Sequence, residues 1–444
     1  MGIRPTEVQA KLVYFAQVCI VHGIMSRVLY PPQRKLKGAS MGRTKASESV
    51  SLNSQWYVGV AGLQQLRDDW NELTPDAQIF ARYEWNLAIA THLVANDQSI
   101  SFCRISDDQD KPLAIIPAFA TRAAVKPFGE LPALTLGPDG QLASYDFPLA
   151  REVNADEIGI AMLKAFKKHQ YGWRVISWRR VMADSNAAKI ANAVNRRLTD
   201  IVPTSACNTF YTASAPDPAS GYEVFKVKSS SLRRNLANRT RHLSQHGPIQ
   251  MRTAREQGDL EGFLEEFVRI ESSGWKGEGG TRTAIAFEPA ARAFYDSLLA
   301  ESSPVFETDI ALLYTGDKAV AGEFLIRTGG WEHIYKIGYD ADYTKGSPGQ
   351  LLLQIVLEQA KANEAIDRVS LVSDQAWHRD WTPIPEPMLQ INIFRNRLRP
   401  VVVRLGRWVL HEYKKARQRS VQRTENSAAS GQKQEKQETE APAG

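Results

Sequence analysis

Between Trp56 and Arg419 the chain alternates between two hydrophobic rhythms, one of period two and one near 3.6, and it runs through the same order of them twice. The first pass predicts a strand over 56–60, helices over 62–72 and 77–94, and strands over 99–105 and 113–121 joined by a hairpin connection at Ser106–Asp110. A weak strand over 133–136, a helix over 156–169, a strand over 173–179, a helix over 185–197 and a strand over 208–213 complete it. The second pass predicts a basic connecting helix over 230–245, a strand over 249–253 and helices over 258–273 and 289–300. Three strands then follow in a meander, over 309–314, 319–327 and 332–339. Their turns carry Gly316, Gly329 and Gly330, where tight hairpins need positive φ. A helix from Pro348 to about 364, strands over 368–372 and 388–394, and a basic helix over 399–419 end the pass. No repeat is visible residue by residue; the duplication lies in the order of elements. It predicts an α/β fold of two tandem units with mixed sheets, over 52–215 and 216–419.

The ends read differently. Residues 1–51 hold one apolar stretch, Leu12 to Met25, interrupted by Gln17 and His22 and too short to span a bilayer; the reading there is a poorly structured extension. Residues 420–444 are Gln, Glu, Lys, Ser and Ala without apolar periodicity, the composition of a disordered tail. With 444 residues, two cores are the natural expectation, and 43% apolar residues are enough to fill them. The net charge of +6 is mild and favours anionic ligands only weakly. No nucleic-acid module is recognisable, so no nucleic-acid partner is expected. The three cysteines, Cys19, Cys103 and Cys207, lie far apart and make neither a disulfide framework nor a metal site. Buried thiols in a cytoplasmic protein are the expectation.

The segment with most chemistry is Tyr335-Lys336-Ile337-Gly338-Tyr339 followed by Tyr343-Thr344-Lys345-Gly346-Ser347-Pro348-Gly349-Gln350. A strand ends, a glycine-bearing turn follows and a helix opens. Backbone N–H groups and the helix dipole at such a start favour an anion, and glycine lets the backbone approach it closely. Gly338, Lys345, Gly346, Ser347, Gly349 and Gln350 are therefore candidates to hold a diphosphate-bearing cofactor, against the plainer reading of a proline-capped loop. The sequence is neither a P-loop nor a dinucleotide fingerprint.

Four stretches in this order carry a family resemblance: Ser230-Ser231-Leu232-Arg233-Arg234-Asn235-Leu236 through Arg241-His242-Leu243; Ser273-Gly274-Trp275-Lys276-Gly277; Ala319-Val320-Ala321-Gly322 running on to Gly338-Tyr339-Asp340; and Ser347-Pro348-Gly349. Weaker similarity involves Trp70, Phe80 and Glu84-Trp85. Over about residues 55–390 the chain resembles the acetyltransferases found with bacterial cellulose and exopolysaccharide genes, the CelD-like branch of the GNAT superfamily. The resemblance implies two tandem GNAT-like acyl-CoA N-acyltransferase domains, acetyl-CoA or another acyl-CoA as donor, and a small-molecule or saccharide acceptor. One departure stands out. The family carries an Asp in the strand after the helix, then a Gly and a Tyr-Lys pair. Here the matching stretch holds Ser370, Ser373, Trp377-His378 and Arg379-Asp380-Trp381.

Acyl transfer needs a group to take the nucleophile's proton, polarisation of the carbonyl, and a proton for the thiolate. Glu323 stands in an apolar strand and is a candidate base; the alternative is an edge residue facing solvent or paired with Arg327. Asp374 follows a strand end, where sites gather, or is a simple turn residue. Tyr339 is a candidate to protonate the thiolate, or a core tyrosine. His378 stands where the family has Lys and is a candidate acid or base, or a surface histidine. Trp275, Lys276 and Trp377 are candidates to line an acceptor groove, and Arg234 on the basic helix to hold an anionic acceptor or the cofactor's phosphates. The final basic helix offers a surface for an anionic membrane or a polysaccharide synthase. Two other classes stay open: a FemAB-like aminoacyltransferase, whose helical-hairpin insertion is not apparent, and a non-catalytic scaffold in which the altered 370–378 stretch marks lost chemistry.

Overall fold

A computed structural model describes residues 51–74, 78–138, 144–212, 230–274, 276–395, 398–407 and 409. Expectations for the two chain ends, for Trp275 and for most of the last basic helix fall outside these residues. The chain divides into two compact units. One comprises residues 50–123 and 131–395; the other comprises 124–130 with both terminal segments. In the second unit the guanidinium of Arg399 lies over the Phe128 ring, 5.5 Å from its centre.

The larger unit is built on one twelve-stranded sheet. Its strands are β1 (Asn53–Val58), β2 (Ile100–Ser106), β3 (Pro112–Ala124), β4 (Glu130–Thr135), β5 (Val175–Met182), β6 (Thr199–Tyr211), β7 (Ile249–Thr253), β8 (Glu307–Thr315), β9 (Lys318–Thr328), β10 (Trp331–Tyr339), β11 (Arg368–Ser370) and β12 (Ile384–Phe394). The helices are α1 (Gly59–Gln65), α2 (Arg67–Leu73), α3 (Tyr83–His92), α4 (Ala155–Lys167), α5 (Asn186–Ala193), α6 (Ser230–Leu243), α7 (Ala254–Gln257), α8 (Leu260–Ser272), α9 (Pro289–Ala300) and α10 (Pro348–Ala362). The class is the expected one: mixed α/β, with the element order of one half repeated in the other.

The order across the sheet is β1-β2-β3-β4-β5-β12-β6-β11-β10-β9-β8-β7. The two halves exchange their last strands. β12, from the second half, pairs antiparallel with β5, and β6, from the first half, pairs antiparallel with β11. β6 and β12 pair with each other between them. Parallel pairing joins β4 to β5 and β10 to β11, the places where a helix returns the chain to the sheet.

Local chemistry explains the elements near the cleft. Asp259 caps α8 by accepting from Gly262 N at 2.8 Å, and Phe263, Phe267 and Ile270 form its buried stripe. α10 starts at Pro348 and buries Leu351, Leu352, Val356 and Leu357. Alternation in β9 sends Phe324 and Ile326 into the core with Phe267 and Tyr295, and Leu325 into the core with Leu351 and Val356. The meander is thus packed on both faces, by α8 and α9 on one and by α6 and α10 on the other. Trp85 of α3 joins the halves, its ring 5.4 Å from Phe294 and 5.1 Å from Tyr335, centre to centre.

Several expectations are corrected. The helix expected over 77–94 is a 3-10 turn (Ile79–Ala81) followed by α3, broken at Arg82, whose extended backbone lets its guanidinium bond the carbonyls of Thr74 and Val305. The helix expected over 62–72 is α1 and α2 in succession. β6 and β12 start earlier than expected, at Thr199 and Ile384. Cys103 and Cys207 are buried free thiols, as anticipated.

Candidate functional site

β10 and β11 pair only through Trp331–Arg368, Glu332–Val369 and His333–Ser370. β10 continues to Tyr339, still paired with β9 on its other side. After Ser370 the chain follows β6 instead: Leu371 N donates to Asn208 O at 2.8 Å, and Asn208 N to Ser373 O at 3.0 Å. A register shift in β10 between Ile334 and Lys336 adds a bulge at the parting. The strands splay, and a cleft of about 680 Å³ opens between them. It is lined by β10 residues 334–339, by Glu271, Lys276 and Glu323, and by the loop after β11, including Ser373, Trp377 and His378. Beyond the bulge, β10 turns an edge without a neighbouring strand toward this space, which suits an extended, amide-bearing ligand.

The loop from β10 to α10 is held firmly. Asp340 N donates to Val320 O, and Asp340 Oδ1 accepts from Asp342 N. Its other oxygen takes Arg269 and Lys318, each at 3.2 Å. Burial works to raise the Asp340 carboxyl, but these donors outweigh it and hold it below the usual range. Gly346 is buried against α6; a Cβ there would lie 2.5 Å from Leu243. Ser347 precedes α10 in the left-handed region, at φ 45°, and among the described residues no side chain caps this helix. Gly349 N–H has no backbone hydrogen bond among the described residues, and the nearest atom to a Cβ placed there is 3.8 Å away, on Tyr339. The first turn of α10 is therefore open and adjoins a residue that lines the cleft. Lys345 is exposed beside it, and Gln350 is taken by Arg239 of α6. A diphosphate fits this turn: it has an uncapped helix start, a glycine with free space and a neighbouring ammonium.

Among the described residues, the matching place in the first half is built differently. Past the β4–β5 parallel pair, Gly137 abuts the Tyr145 ring. α4 is capped by Asn154 and carries Asp156 and Glu157 in its first turn, where α10 has no acid. Carboxylates at that helix start disfavour a second anion.

Glu323, Tyr339, Gly338, Lys276, Trp377 and His378 meet at the cleft. Glu323 is 2% exposed. Its Oε2 has no hydrogen-bond partner among the described residues, and burial, with the charge of Glu332 added to it, raises its carboxyl well above the ordinary value. It does not pair with Arg327, which binds Glu332 at 2.5 Å and Glu307 at 3.1 Å. Tyr339 is at the mouth, 45% exposed, and is no core tyrosine. His378 is not a surface histidine: it is 2% exposed, its Nδ1 is 3.0 Å from Asn208 Nδ2, and burial lowers it to about 4. It is neutral at physiological pH, so the expectation of an acid or base titrating near neutrality is corrected. Asp374 does not line the cleft; it is exposed and accepts from Ala206 N at 3.3 Å. Arg234 is exposed on α6 and is not among the cleft residues.

Two charged cleft residues, Glu271 and Lys336, lie outside the sequence-predicted set. Glu271, at the last turn of α8, accepts Lys276 Nζ at 2.9 Å and Lys336 Nζ at 3.4 Å on one oxygen, and Ile285 N at 2.9 Å on the other. Burial lowers the Lys336 ammonium; Glu271 opposes that shift and Lys276 adds to it. The signal for Glu271 was a charge one turn after Phe267 on an otherwise apolar stripe. Lys336 sits between Tyr335 and Ile337 in the same way.

Residues 230–379, from the start of α6 to the loop lining the cleft, match the family described as acetyltransferase (GNAT) domain. This stretch is thus an acyltransferase domain of the GNAT type. No curated protein matches the chain. Among solved structures it is similar to the C-terminal domain (DUF2156) of a putative lysylphosphatidylglycerol synthetase from Agrobacterium fabrum, at 12% identity, over 77% of this chain and 95% of that one, with a TM-score of 0.48. It is similar to FemX at 9% identity, over 79% and 100%, with a TM-score of 0.49. It is also similar to a tandem GNAT protein from the clavulanic acid biosynthesis pathway, at 9% identity over 76% and 98%, with a TM-score of 0.41. Among the described residues no helix is long and apolar enough to cross a membrane.

Proposed function

We propose that this GNAT-type acyltransferase domain uses acetyl-CoA, bound in the second half alone, to acylate a hydroxyl or amine of a sugar, a polysaccharide precursor or a related small molecule. The observation that carries the reading is the parting of β10 from β11 beside the open first turn of α10. The edge of β10 from Lys336 to Tyr339 is assigned to the cofactor's pantetheine amides. Gly349 N–H and Lys345 are assigned to its diphosphate. When bound, the cofactor supplies an activated thioester carbonyl.

The chain's own residues supply the proton chemistry. Glu323, once ionised, takes the proton from the attacking oxygen or nitrogen of the acceptor. A base with a raised pKa is well matched to that task. Tyr339 Oη carries a proton at the cleft mouth, where a leaving thiolate needs one. His378, neutral and pinned by Asn208, shapes the wall opposite β10. The saccharide class of acceptor rests on the resemblance of the four motif stretches.

The test is thermal stabilisation by acetyl-CoA, followed by release of free thiol in the presence of candidate sugars. A ligand at 100 times its Kd adds about 2.7 kcal/mol of stability. A clear shift with acetyl-CoA and none with acetate or adenosine supports the reading. No shift with any acyl-CoA leaves a paired α/β scaffold.

A further inference from the structure

The wall of the cleft opposite β10 is held by a strand from the first half. β6 pairs with β11 through Phe210–Val369 and Thr209–Ser370, and Asn208 then takes over. Its carbonyl accepts from Leu371 N at 2.8 Å, and its N–H donates to Ser373 O at 3.0 Å. Val372, between those two, has φ 49°, a left-handed conformation that a β-branched residue rarely adopts. The backbone of Asn208 thus ties down both flanks of the turn that carries the chain away from β10. On its other side Asn208 is in register with Pro385 of β12, which has no N–H to offer.

The side chain of Asn208 reaches along the same wall, with Nδ2 at 3.0 Å from His378 Nδ1. Asparagine is a poor strand residue, and this one is buried, where an amide is costly unless it is bonded. An amide nitrogen donates, so His378 Nδ1 is the acceptor and the ring proton is on Nε2. A second ring proton would set N–H against N–H. The lone pair that would make this imidazole a base is therefore taken. Burial works in the same direction and outweighs the Ser373 backbone and the Asp374 charge, which favour protonation. Across the cleft stand Glu323 on β9, Lys336 on β10 and Glu271 on α8. Two working bases in one cleft would compete for the acceptor's proton.

We infer that Asn208, a residue of the first half, is a positioning residue for acyl transfer in the second: it holds the wall away from β10 and keeps His378 Nδ1 occupied, which reserves the acceptor's proton for Glu323. This rests on the acyl-transfer reading above.

Nitrogen NMR of the imidazole rings in the full chain reads the tautomer, with His378 assigned by the signals lost in His378→Gln. The wild type should show His378 protonated on Nε2 alone and still neutral at about pH 6. Asn208→Asp sets a carboxylate against Nδ1. It should move the proton to Nδ1 and raise the His378 pKa by about 1–3. Asn208→Ala keeps the backbone bonds to Leu371 and Ser373, so it tests the side chain alone even if the Asp variant folds poorly; its His378 should show mixed tautomers. Thiol release from acetyl-CoA, with water as the acceptor, is then followed against pH. The wild-type profile should carry the ionisation of Glu323, and Asn208→Asp should add a second one that disappears in Asn208→Asp/His378→Gln. A wild-type His378 protonated on Nδ1 or titrating near its ordinary value, an unchanged ring in both Asn208 variants, or an unchanged profile in Asn208→Asp overturns the inference. Loss of the acetyl-CoA shift in the wild-type chain overturns the reading beneath it instead, and the ring spectra still decide the Asn208–His378 contact.

Discussion

His333 and Ser370 are the last paired residues of two parallel strands, and the cleft begins where their partnership ends. Up to that pair, β10 and β11 make an ordinary sheet. After it, β11 follows β6 and β10 follows β9, and the gap between them holds the polar groups that an apolar core would reject.

Gly346 and Gly349 flank the turn and should respond oppositely to substitution. Gly346→Ala drives a methyl into Leu243 at 2.5 Å and should cost about 1–3 kcal/mol. Gly349→Glu enters open space in the first turn of α10, where a carboxylate suits the helix dipole, so the melting temperature of the free protein should hold or rise. The same carboxylate occupies the place given to the diphosphate, and acetyl-CoA stabilisation should vanish. A denaturation series with and without acetyl-CoA reads both effects.

Glu323→Gln should reduce acyl transfer by about 10²-fold or more while leaving acetyl-CoA binding intact. Its stability effect has a definite sign. A carboxyl whose folded pKa lies well above 4.5 favours the fold most when protonated, so its contribution is present at low pH and is lost as pH rises toward the folded value. Gln has no such penalty. The variant should equal the wild type near pH 4 and become progressively more stable than it toward alkaline pH. Transfer by the wild type should rise with pH as Glu323 ionises, and this limb should be missing from any residual activity of the variant.

His333 is buried with neither ring nitrogen hydrogen-bonded among the described residues, stacked on Trp331 at 5.5 Å, and burial lowers it to about 3. Its unfolded value is near 6.5, so it contributes stability fully above that pH and loses it as pH falls from 6.5 toward 3. His333→Leu should flatten the loss of stability between pH 7 and pH 4. At neutral pH it should be neutral or stabilising by about 1–2 kcal/mol, because two unsatisfied polar atoms disappear. Some acid sensitivity should remain, since His378 titrates in the same direction. Urea denaturation at several pH values checks the slope.

Much of this was legible in the sequence because the signals are local. The glycine turns, Pro348 and the apolar stripes of α8 and α10 determine their own surroundings, and β7 and α9 fall where the pattern placed them. The strand exchange was not legible, because it joins residues far apart in the chain. Prolines also concealed strand length. Pro385 and Pro387 lie in the part of β12 that pairs with β6 alone, before pairing with β5 starts at Met388. Pro203 sits in the part of β6 that pairs with β12 alone, beside a register shift. At the cleft, Glu323 and Tyr339 were readable as polar groups on or ending apolar strands. His378 was misjudged because its burial depends on Asn208, 170 residues away in sequence. The Glu271–Lys336 contact likewise spans from α8 to β10.

Isothermal titration of the full-length chain with acetyl-CoA tests the central claim most directly. The capped, acidic start of α4 and the open turn at Gly349 together predict one molecule bound per chain, with binding abolished in Gly349→Glu. No binding, two molecules per chain, or unchanged binding by that variant would contradict the account.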